Sequence, residues 1–120
     1  MEKKILRSGV ELIGIINKEG RMPESQGFDS WSMSKSKKEM FLMKIALRAS
    51  MQSDFDEELG KVNYCMTQRG DKKFISIPTP NNKTILAVIK NDCDHEELID
   101  NIIQTMNSDQ WDKVLFKGEH

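Results

Sequence analysis

Ser36-Lys37-Lys38-Glu39-Met40-Phe41-Leu42-Met43-Lys44-Ile45-Ala46-Leu47-Arg48-Ala49-Ser50-Met51-Gln52-Ser53, residues 36–53, decides how this chain folds. Ser36 and Glu39 have the spacing of a capping box, in which each side chain satisfies the other's backbone N–H. A helix is therefore expected to open there and run to about Ser53. At 100° per residue, Lys44, Arg48 and Gln52 fall in a stripe about 80° wide, with Phe41 the one large apolar residue inside it. Apolar and small residues take the remaining arc of roughly 240°, whereas a helix on the outside of one sheet needs somewhat over 100°. Ala46, Ala49, Ser50 and Ser53 cluster within that arc, flanked by Ile45 and Leu42 on one side and by Met43, Leu47 and Met51 on the other. Small side chains let another backbone approach closely. Either the domain's own sheet fills this face, or a second copy does, since a two-fold pair would bring the helix against itself.

Before this helix, Val10-Glu11-Leu12-Ile13-Gly14-Ile15-Ile16 is nearly continuous in hydrophobicity and reads as a covered strand. Residues 1–8 are expected to form a short helix. Asn17-Lys18-Glu19-Gly20 is a turn, and a short strand at Arg21-Met22 should stop at Pro23, which cannot donate to a ladder. Residues 23–35 form a loop that Phe28 and Trp31 would tack down. After Gly60 the period changes to two. Strands are expected over Val62 to Gln68, Phe74 to Ile77 and Thr84 to Ile89, joined by short turns into an antiparallel meander. Asp94-His95-Glu96-Glu97 opens a last helix, on which Leu98, Ile99, Ile102, Ile103 and Met106 form a narrow apolar stripe. The fold class is α+β, a five-stranded antiparallel sheet with helices in the order α-β-β-α-β-β-β-α. Residues 1–106 read as one domain. Residues 107–120, with Trp111, Val114, Leu115 and Phe116, read as a tail.

The chain has 120 residues, the size of one domain, with 18 Lys and Arg against 19 Asp and Glu. That balance argues against nucleic acid as a partner, which needs a basic excess. No apolar run reaches the roughly 20 residues that span a bilayer, so no membrane partner is expected. Two cysteines, Cys65 and Cys93, are too few for a disulfide framework, and a reduced cytoplasm is the expected location. Charge is polarised along the chain: residues 1–50 hold ten basic and six acidic side chains, while 91–112 hold seven acids and no Lys or Arg. Neither a P-loop nor a GxGxxG pattern occurs. Cys93 and His95 are one close pair where tetrahedral zinc wants two, so no metal and no cofactor is expected. No Ser, Cys, His or Asp stands in a catalytic pattern, so no catalytic residue is assigned and no enzyme is expected.

The order of elements, the run Val10 to Gly20 and the Ala-containing helix 36–53 together resemble the roadblock (dynein light chain) family. FDEELGKV at 55–62 and SIPTP at 76–80 are similar to an archaeal group of roadblock-like proteins. The resemblance covers about residues 1–106. It implies a non-enzymatic, roadblock/profilin-like fold that pairs through its central helices and through an edge strand of the meander. It further implies a dimeric platform for a small Ras-like GTPase or another protein. The dimer interface would then comprise Leu42, Met43, Ala46, Leu47, Ala49, Ser50, Met51, Ser53 and Tyr64. Ala46→Glu or Ser50→Glu should break such a dimer. The alternative is a monomeric PAS-like sensor of small molecules, with Phe28 and Trp31 closing a pocket under loop 23–35.

Overall fold

A computed structural model describes residues 9–106; the expected helix over 1–8 and the tail 107–120 lie outside the described residues. The elements are β1 (Val10–Ile16), β2 (Glu24–Gln26), α1 (Lys35–Ser53), α2 (Asp56–Leu59), β3 (Cys65–Arg69), β4 (Lys72–Pro78), β5 (Thr84–Lys90) and α3 (His95–Met106). The strands form one antiparallel sheet in the order β2-β1-β5-β4-β3. The expected α+β architecture is therefore present.

The near-continuous apolar strands have a direct cause, because the sheet is covered on both faces. Ile13, Ile15, Ile75, Ile77, Ile85, Ala87 and Ile89 pack against Leu98, Ile99 and Ile102 of α3. On the opposite face Leu12, Ile16, Leu86 and Val88 pack against Leu42 and Ile45 of α1. The alternation of side chains along each strand thus feeds two cores, one per helix.

β4 spans Lys72–Pro78 rather than Phe74 to Ile77, taking in Pro78, β3 and β5 each run one residue further than expected, and three other boundaries differ from the sequence reading for visible reasons. The second strand is Glu24–Gln26, beyond Pro23, rather than Arg21-Met22. The Asn17 side chain accepts from the backbone N–H of Glu19 and of Arg21, both at 3.0 Å, and Asn17 N–H donates to the Arg21 carbonyl. That closed turn occupies Arg21, so pairing starts where Ile15 meets Glu24. The α1 cap is Ser34 rather than Ser36: its backbone is extended, and its hydroxyl accepts from Lys37 N–H at 3.2 Å. Starting at Lys35 sets Lys38 one turn in, where its ammonium donates to the Phe28 carbonyl at 2.6 Å and lies 4.8 Å from the Phe28 ring. The third difference is β3, which begins at Cys65 rather than Val62. Asp56, Glu57 and Glu58 form the first turn of the short helix α2, where acidic side chains suit the helix dipole.

Candidate functional site

Turning α1 onto its sheet leaves an apolar stripe facing away from it. Leu42 and Ile45 point inward, and Met40, Met43, Leu47 and Met51 recur at spacings of three, four and four on the opposite side. Met40 is 50% exposed, Met43 58%, Leu47 60% and Met51 59%. Phe55, one helical turn beyond Met51, is 58% exposed, and with Leu47, Met51, Lys44, Arg48 and Gln52 it lines a shallow groove of about 390 Å³. Scattered apolar residues on a surface are ordinary, but a contiguous row on one helix marks an interaction face.

The polar stripe of the helix explains how this comes about. Arg48 and Gln52 do not project into water. The Arg48 guanidinium donates to the Ser76 hydroxyl on β4 at 2.9 Å, and the Cys65 thiol on β3 donates to the Gln52 amide oxygen at 3.3 Å. Polar side chains thus meet the β3–β4 half of the sheet, and the long apolar side chains are rotated outward. Gln52 and Cys65 also tie the last turns of α1 to β3. That strand ends the sheet, so among the described residues its outer backbone edge has no strand partner. The exposed stripe and the open edge adjoin, with Tyr64, just before β3, also exposed.

The nine residues singled out from sequence separate into groups. Met43, Leu47, Ser50 and Met51 lie on the exposed side of α1, and Tyr64 lies beside the edge strand. Leu42 is 2% exposed and belongs to the core under the helix, so it is removed from the interface set. Ala46 and Ala49 are half-buried and, with Ser53, line a cavity at the end of the sheet; they do not form the centre of an outward face. Ala46 packs on the inner cluster, so a glutamate there would perturb the fold itself. Met40 and Phe55, outside those nine, extend the exposed row. Their signal was present in the spacing of Met40, Met43, Leu47, Met51 and Phe55, once the inward side is fixed by Leu42 and Ile45.

Loop 23–35 is tacked down as expected. Trp31, Phe41 and Phe74 form a ring cluster with centroids 5.6 to 6.2 Å apart, and Phe28 packs on the same core. These rings pack on one another and on the α1 core beneath the loop, where the sensor alternative would place its pocket. Among the described residues, no group of three or more His, Cys, Asp or Glu side chains gathers, and no helix is long and apolar enough to cross a membrane. His95 is engaged within the fold, its Nδ1 lying 3.0 Å from the Lys73 ammonium, which also donates to the Cys93 carbonyl.

No protein-family model matches the sequence, and no curated protein is similar to it in sequence. Solved structures do match. The chain is similar to a roadblock/LC7 domain from Streptomyces avermitilis, at 6% identity and a TM-score of 0.57, covering 83% of this chain and 88% of that one. It is similar to MglB of Myxococcus xanthus, at 9% identity and a TM-score of 0.64, covering 88% and 80%. An MglB in a tetrameric arrangement aligns at 10% identity and a TM-score of 0.61, covering 87% and 83%. The chain has the roadblock/LC7 fold. Identity this low carries the fold and nothing finer.

Proposed function

We propose that this protein is a non-enzymatic, homodimeric scaffold or regulatory module of the cytoplasm. Two copies pair through the outer face of α1, with the β3 edges as the second contact. Residues 1–106 form the module and 107–120 an appended tail. The paired surface binds another protein, and a small Ras-like GTPase is the partner class that the roadblock resemblance implies. The observation that carries the reading is the row of Met40, Met43, Leu47 and Met51 on the side of α1 away from its own core, continued by Phe55 just beyond the helix, each at least half exposed. The proposed interface is therefore Met40, Met43, Leu47, Ser50, Met51, Phe55 and Tyr64.

Absolute molar mass by light scattering on a sizing column tests the dimer. A mass near 28 kDa, twice the 13.8 kDa chain, is expected across a tenfold concentration range. A constant 13.8 kDa would overturn the pairing. The partner class has its own test, calorimetric titration of small GTPases loaded with GDP or a GTP analogue. Binding that depends on the nucleotide is expected. Failure of every GTPase in both states would remove that partner class while leaving the dimer standing.

A further inference from the structure

A cavity of about 740 Å³ opens at the end of the sheet where the β1–β2 turn, the segment after α2 and the β4–β5 turn meet. Small-molecule sites commonly span roughly 300–1,000 Å³. Lys18, Lys61 and Lys83 line it from three separate parts of the chain. None of the three ammonium groups has a hydrogen bond or ion pair among the described residues. Among the described residues that line the cavity, Asp56 is the one carboxylate, so three cations against one anion leave an excess of two positive charges. Like charges around one concavity repel each other, and the walls focus their field on whatever enters. Among the described residues the fold obtains no pairing from holding them together. The remaining wall includes Ile103 and Met106 of α3, so the cavity joins a cationic rim to an apolar side.

We infer that this cavity binds a small anionic molecule with an apolar body. Its phosphate or carboxylate faces the three lysines and its body lies against Ile103 and Met106. Along α1 the cavity is lined by Ala46, Ala49, Ser50, Gln52 and Ser53 and shares only Ser50 with the proposed pairing face, so the substitutions at Lys18 and Lys61 test it without touching that face.

The test uses the full chain at low salt, with phenyl phosphate, benzoate and inorganic phosphate titrated into ¹⁵N-labelled protein. Saturable shifts are expected at the backbone amides of residues 18, 61–63 and 82–84. Phenyl phosphate should bind about tenfold more tightly than inorganic phosphate, because only it buries an apolar ring. Benzoate distinguishes a carboxylate site from a phosphate site by its rank against phenyl phosphate. Lys18→Ser and Lys61→Ser, both at exposed positions, should each weaken phenyl phosphate roughly threefold. Lys37→Ser, exposed on the first turn of α1, should leave it unchanged. Shifts that grow linearly without saturating would overturn the site. Equal binding of phenyl phosphate and benzoate to the Lys18→Ser, Lys61→Ser and unsubstituted chains would overturn it too.

Discussion

Replacing Leu47 with glutamate separates pairing from folding. Leu47 is 60% exposed in the single chain, so most of its side chain is available to a partner and little of it holds the domain together. Full burial of a leucine is worth about 1.5–3 kcal/mol, so covering that exposed fraction is worth about 1–2 kcal/mol per copy. Each substituted chain loses the contact once, which doubles the loss to about 2–4 kcal/mol per dimer and weakens the dissociation constant roughly 30- to 1,000-fold. A glutamate left unpaired in the interface adds to that loss. The assay is sedimentation equilibrium of the Leu47→Glu chain, with circular dichroism on the same sample. A monomer with native secondary structure and cooperative melting is expected. Its Tm should fall only by the mass-action contribution of the lost partner. Leu42→Ala is the contrasting variant, because a leucine 2% exposed costs about 2–5 kcal/mol of folding stability when truncated. The reasoning is refuted by a Leu47→Glu chain that stays dimeric, and equally by one that unfolds.

Three further outcomes follow from the packing. Lys38→Met removes the charge-assisted bond to the Phe28 carbonyl and the contact with its ring, and should cost about 1.5–3 kcal/mol in urea unfolding, with a shift in Trp31 emission. Unchanged stability would show that the loop is held by its rings alone. Gly27 sits at φ +92°, and a Cβ there would run into the Glu11 carbonyl, so Gly27→Ala should cost at least about 2 kcal/mol of stability by thermal melting. Lys72 lies 3.1 Å from the Glu11 carboxylate, and their hydrogen bond raises its pKa above the ordinary lysine value, Asp71 adding to the effect and desolvation opposing it. A raised folded-state pKa means that the contribution to stability is fully present below the ordinary lysine range and fades as pH climbs through the raised value. Glu11→Gln should therefore lower the Lys72 titration midpoint read by NMR and remove, at neutral pH, the small stability that this partly exposed pair contributes.

Much of the fold was legible because its signals are local. The meander from β3 to β5, the Asp94 cap and the long central helix each rest on period, turn residues and caps that act within a few positions. Asp94 does accept from Glu96 and Glu97 N–H, at 3.0 and 3.2 Å. The boundaries that shifted depend on contacts from elsewhere. Pairing of β2 waits for the Asn17 turn to close, and the start of α1 is set by the Ser34 cap, which places Lys38 within reach of the loop carbonyl of Phe28. The site was legible in part. The over-wide apolar arc does signal a face beyond the core, but the rotation of the helix cannot be read from its own residues. It depends on Ser76 and Cys65, whose polar groups draw Arg48 and Gln52 toward the sheet. That rotation turns Ala46 and Ala49 toward the cavity and sends Met40, Met43, Leu47 and Met51 outward. The convergence of Lys18, Lys61 and Lys83 was invisible in sequence, because residues so far apart meet only through the sheet topology.

The pairing of α1 with its own copy is tested most directly by an isotope-filtered NOE spectrum. The sample is an equal mixture of ¹³C-methyl-methionine-labelled and unlabelled chains. Cross-copy contacts are predicted from the methyl groups of Met40, Met43 and Met51 to unlabelled residues of α1, Leu47 among them. Their absence, or cross-copy contacts confined to other surfaces of the molecule, would contradict the account.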